Sequence, residues 1–204
     1  LCPSAMTVAL AACNATTAPA PAARTEVAPA PIRSDTATAS FARTLTLHGL
    51  TFDVACANAS STNELRIQAR GLEIDNTAIV TSIDGIVTGA EVADLDADGS
   101  PEVYVFVQSA GSGSYGSLVA FAANKRKSLS GINLPPVADH PEAGKGYMGH
   151  DQFSMSPTQL VQRFPVYRDG DANAAPTGGT REVRYRLTPG EAGWQLRIEQ
   201  VRSW

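Results

Sequence analysis

The run EVYVFVQSAGSGSYGSLVAFA, residues 102–122, decides the fold. Val103 to Val107 is nearly continuous apolar, the pattern of a strand buried in the centre of a sheet. Leu118 to Ala122 reads the same way, and Ala110 to Gly116 is a glycine-rich connection between the two. Outward from this pair the texture persists. Leu45, Leu47 and Phe52 alternate with polar neighbours, and Leu65, Ile67 and Ala69 repeat the period of two. Ile79 to Val87 is a β-branched run broken at Asp84-Gly85, a pair typical of hairpin turns. Leu160 to Tyr167, Val183 to Leu187 and Trp194 to Val201 complete the set, with the turn cluster Thr188–Gly193 between the last two. No window sustains a 3.6-residue period, and no internal repeat marks a propeller. The expectation is all-β: one domain over 41–204, an antiparallel β-sandwich or barrel-like fold with long loops.

The first forty residues are of another kind. LCPSAMTVALAAC (1–13) is apolar, uncharged, too short to span a bilayer and closed by small residues, as the tail of a signal peptide is. Leu10-Ala11-Ala12-Cys13 resembles a bacterial lipobox, which makes Cys13 the expected site of lipidation. Asn14 follows it, which points to the outer membrane and so to a periplasmic domain whose one membrane contact is its lipid. Residues 14–40 are mostly Ala, Pro, Thr and Ser, a composition that cannot bury enough apolar surface to order itself and reads as a tether. With Cys2 and Cys13 in the leader, Cys56 stands alone in the domain, where it is expected as a small buried residue. The fold must then rest on an apolar core, which about 160 residues can supply. A net charge of −4 leaves no basic footprint for nucleic acid, and it suits a basic protein partner.

Three segments carry candidate chemistry. Ala110–Gly116 puts the hydroxyls of Ser112, Ser114 and Tyr115 on a loop that Gly113 lets approach a partner closely. Tyr combines contact area, a hydrogen bond and few rotamers. Gly111, Gly113 and Gly116 match G-x-G-x-x-G in spacing, but a strand follows, not the helix a dinucleotide site needs. In DLDADGSPE (94–102), carboxylates at Asp94, Asp96, Asp98 and Glu102 with Gly99 among them can wrap one calcium ion. Val105 stands where an EF-hand has its acid, and an Asp-stabilised turn without metal remains the other reading. The calcium reading would suit a cell-surface adhesion module. The third segment is the polar loop Tyr167-Arg168-Asp169-Gly170-Asp171-Ala172-Asn173, placed as a recognition loop or a solvated turn. His48, His140 and His150 have no metal-ligand spacing, and no nucleophile motif completes a triad with His150 and Asp151. Nothing in these patterns marks an enzyme.

DLDADGSPEVYVFVQSAGSGSYGSLVAF (94–121), GYMGHDQF (146–153), RFPVYRDGDANAAPTGG (163–179) and PGEAGW (189–194) resemble the periplasmic inhibitors of invertebrate-type (I-type) lysozyme. The resemblance implies a β-sandwich whose Ser-Gly-x-Tyr loop, here Ser112, Gly113 and Tyr115, enters the active-site cleft of the lysozyme. It also implies a pocket that receives a loop of the enzyme, with Tyr167–Asn173 as an expected wall, and allows a homodimer. No cofactor follows from it, and the protein would protect the cell wall without catalysing a reaction.

Overall fold

The computed structural model describes residues 40–191 and 193–204. The leader 1–13 with Cys13, and the tether 14–40 apart from Ser40, lie outside the described residues. Among the described residues there are twelve strands, one short 3-10 turn (Val137–Asp139) and no α-helix.

Strands β1 (Phe41–Leu47), β2 (Leu50–Cys56), β3 (Thr62–Arg70) and β4 (Ile79–Asp84) form an antiparallel meander. Its first turn is the two-residue loop His48-Gly49, with φ of 49° and 77°, the positive pair that matches the twist of a tight hairpin. Leu50, Phe52, Val54 and Cys56 of β2 bury one face, and Leu65, Ile67 and Ala69 of β3 extend it. Cys56 is a free, buried thiol, as its isolation in the sequence predicts.

The second sheet has eight strands. β5 (Ile86–Ala93), β6 (Glu102–Gln108), β7 (Gly116–Asn124) and β8 (Ser128–Asn133) make one half. β9 (Gln152–Ser156), β10 (Gln159–Pro165), β11 (Thr180–Pro189) and β12 (Trp194–Ser203) make the other. The halves meet in a short parallel contact, Trp194 opposite Ile132 and Gln195 opposite Asn133. All other pairings are antiparallel.

β6 explains its own sequence. Val103, Val105 and Val107 face the four-stranded sheet and share its core. Tyr104 and Phe106 face the opposite way, into a second core with Leu160, Phe164, Val183, Tyr185 and Leu196. Successive side chains of a strand point to opposite faces, so a strand covered on both must be apolar at every position. Each such side chain contributes about 1.5–3 kcal/mol on burial.

One expectation is corrected. Asp84-Gly85 does not turn a hairpin: β4 pairs with β3, and β5 pairs with β6, so the chain crosses here from one sheet to the other. Gly85 has φ of 127°, and a Cβ there would overlap the Gln108 carbonyl. The glycine serves a close crossing of backbones, which in sequence looks the same as a turn.

Candidate functional site

The connection between β6 and β7 is a finger that closes on itself. Ser109 N–H donates to the Tyr115 carbonyl (2.9 Å) and Ser114 N–H to the Gly111 carbonyl (2.9 Å). Ser112 lies exposed at its tip, and Tyr115 is 47% exposed. Neither the Ser112 nor the Tyr115 hydroxyl bonds to any described residue. The Tyr115 ring lies across Gly113, where an added Cβ would overlap it, and packs edge-on to Tyr147 at 5.8 Å. Tyr147 in turn packs edge-on to the buried Phe164 at 4.8 Å.

Two other loops hold the finger's backbone. His150 N–H donates to the Gly113 carbonyl (2.8 Å). Gly149 just before it has φ of 88°, and a Cβ there would overlap that same carbonyl. On the other side Asn173 Nδ2 donates to the Ser112 carbonyl (3.1 Å). The structure therefore brings the first and third sequence candidates into one site. Tyr167 itself is buried, with its hydroxyl on the Asn173 carbonyl (2.7 Å), while Arg168 and Asp169 face solvent.

Behind the finger stands Asp151, which sequence reasoning weighed only as a triad partner for His150. Its Oδ2 accepts from Gly116 N–H (2.7 Å) and the Tyr147 hydroxyl (2.7 Å), and its Oδ1 accepts from Gln162 Nε2 (2.6 Å). Gln162 Oε1 accepts from the Tyr185 hydroxyl (2.5 Å). The network anchors the end of the finger to the second core. Burial, reinforced by the bond to Asp151, pushes the Tyr147 phenol well above its ordinary range, so it stays a donor. Beside Tyr115 a cleft of about 390 Å³ runs between Leu118, Leu134, Pro136, Val137, Tyr147 and Gln162. Its walls come from these segments rather than from the 167–173 loop.

Residues 66–164 match the family model described as periplasmic lysozyme inhibitor of I-type lysozyme. Over this span the chain is similar to that family. The match takes in the finger, the acidic loop, Tyr147 and Asp151, and stops short of Tyr167–Asn173. Proteins of this family are inhibitors and not enzymes, and they act in the periplasm. No curated relative and no solved structure matches the chain.

The acidic loop sits apart from the finger's three supports. Asp94, Asp96 and Glu102 each bring one carboxylate oxygen within 4.8 Å of the others, a donor set suited to a hard cation. Asp98 is turned aside and accepts from Ser100 N–H (2.6 Å). The loop also closes on itself without metal: Asp94 accepts from the N–H groups of Asp98 (3.1 Å) and Gly99 (3.0 Å). Glu102 is 1% exposed, with Oε2 accepting from Leu95 N–H (2.9 Å) and the Tyr104 hydroxyl (3.2 Å). Burial, with Asp96 and Asp94 adding repulsion, pushes its carboxyl up to about 8.

Proposed function

We propose that this protein inhibits I-type lysozyme by plugging its active-site cleft with the finger Ser112-Gly113-Ser114-Tyr115. The observation that carries the reading is the state of the finger: backbone bonded from both sides, Ser112 and Tyr115 hydroxyls unengaged. Lysozymes cut between two carboxyl groups flanking the scissile bond. A serine and a tyrosine hydroxyl donate to such groups, and a hydrogen bond to a charged group contributes about 1.5–3 kcal/mol. No covalent step is needed, because filling the cleft excludes the glycan. The adjoining cleft beside Tyr115 is the place where a loop of the enzyme fits, and exposed Arg168 and Asp169 lie on the loop next to the finger. Lipidation at Cys13, with 14–40 as tether, would hold the inhibitor at the outer membrane, facing the wall it protects.

Competition tests the cleft reading. Residues 40–204 are titrated against an I-type lysozyme with its cleft free or filled by a chitooligosaccharide, which should weaken binding in proportion to its occupancy. Binding indifferent to the sugar would place the contact elsewhere and refute the plug. A chicken-type and a goose-type lysozyme run alongside give the class preference.

A second reading concerns the acidic loop, which we propose takes one calcium ion through Asp94, Asp96 and Glu102. The convergence of three carboxylate oxygens, one of them on a buried side chain, favours it. A ligand held only by the folded state raises its melting temperature as concentration passes the dissociation constant. Millimolar calcium at pH 8 should therefore raise the midpoint by several degrees, and a midpoint indifferent to calcium removes this reading.

A further inference from the structure

We infer that Asn173 is a positioning residue for inhibition: its amide latches the finger in the shape that enters the enzyme, without itself touching the enzyme. The inference rests on the cleft-plugging reading.

A glycine-rich loop loses more conformational freedom on being fixed than other sequence does. A finger that is fixed only on binding must bear that loss in its affinity. Here the turn bonds at Ser109 and Ser114 close the finger's base but leave the carbonyls of Ser112 and Gly113 at the tip, where a free loop would turn them to water. His150 N–H holds the second, and Asn173 Nδ2 holds the first, from 61 residues away in sequence.

The latch can only be as rigid as its mounting, and the mounting is built. The Tyr167 hydroxyl fixes the Asn173 carbonyl (2.7 Å), and the Tyr167 ring is buried. Asp171 closes the loop by accepting from Arg168 N–H (2.7 Å), Thr177 N–H (2.8 Å) and the Thr177 hydroxyl (2.9 Å). Those bonds hold its carboxyl below the usual range, so this closure persists in mild acid. The loop's ends are tied by Val166 N–H to the Gly179 carbonyl (2.9 Å) and Gly178 N–H to the Val166 carbonyl (2.8 Å). An exposed asparagine on such a base reaches the finger with a single donor, and alanine at 173 removes that donor while leaving every bond of the base in place.

The test is a double-mutant cycle on residues 40–204. Asn173→Ala, and Asn173→Asp as a near-isosteric form without the donor, should each weaken inhibition about tenfold at an unchanged melting temperature. Hydrogen exchange at residues 112–115 should quicken in both. In a Ser112→Ala/Tyr115→Ala background, Asn173→Ala should cost nothing further, because the two side chains that the latch positions are gone while the backbone it holds remains. Wild-type inhibition by both Asn173 variants overturns the inference. An equal loss with and without the finger also overturns it, since Asn173 would then act on the enzyme directly. If the finger variant alone inhibits as well as wild type, it is the cleft-plugging reading that fails, and unchanged exchange at 112–115 in the Asn173 variants would separately show that no latch exists.

Discussion

Ser112→Ala together with Tyr115→Ala is expected to weaken inhibition of an I-type lysozyme by about a thousandfold or more, with the melting temperature of the domain unchanged. The size follows from what the two side chains lose. Two hydrogen bonds to charged carboxyl groups are worth together about 3–6 kcal/mol, and every 1.4 kcal/mol is a factor of ten in affinity. Burial of the Tyr115 ring in the enzyme adds roughly 1–3 kcal/mol. These amounts overlap, since residues of one hot spot are not additive, so the lower end is the firm expectation. Stability should not follow affinity down. Ser112 is exposed, and neither hydroxyl bonds within the fold. What Tyr115 gives to its own protein is contact with the glycine backbone at Gly113 and an edge contact with Tyr147, which Phe164 still supports. Inhibition constants and thermal melts on the same preparations decide it. Full inhibition by a folded double variant would remove the finger from the mechanism.

The sequence shows the finger because its signal is local: glycine and hydroxyl residues in one short connection between two apolar runs. It shows β6 for the same reason, since a strand covered on both faces is apolar without interruption at Val103–Val107. The strands it hides are β8 (Ser128–Asn133), where Leu129 and Ile132 stand three apart and pack into different cores, and β9 (Gln152–Ser156), where Phe153 and Met155 alternate with serines over only five residues. The finger's supports leave no local trace at all. Asp151 meets Gly116 across 35 residues, and Asn173 meets Ser112 across 61. Such pairs exist only once β7, β9 and β10 are assembled, so polar residues in separate loops read singly as solvated turns. Glu102 is the same case from the other side. Its place in the acidic run suggests a ligand or a turn, whereas its burial comes from the strands around β6.

That burial gives the second large effect. In metal-free solution the domain should lose stability as pH rises from about 4.5 to about 8, and Glu102→Gln should abolish most of the loss. The carboxyl of Glu102 titrates at its ordinary value of 4.5 in the unfolded chain and at about 8 in the fold. Between these values the native protein keeps a proton that the unfolded chain has released. Stability then falls with pH, because it rises only where the unfolded state binds more protons. The contribution is fully present below about pH 4.5, declines across the window and is gone above about pH 8. At 1.36 kcal/mol per pH unit the whole loss is at most roughly 5 kcal/mol, and structural relaxation takes it lower. Glutamine keeps an acceptor for Leu95 N–H and the Tyr104 hydroxyl but never ionises, so at pH 8 the variant should be the more stable protein. Urea unfolding at a series of pH values, with chelator present, measures both profiles, and parallel profiles would refute the assignment to Glu102. Calcium supplies the contrast. A cation needs the ionised carboxylate, so at saturating calcium the wild-type loss should shrink or reverse towards pH 8 while the glutamine variant stays flat. A buried acid that merely takes up a proton would show the first behaviour and not the second.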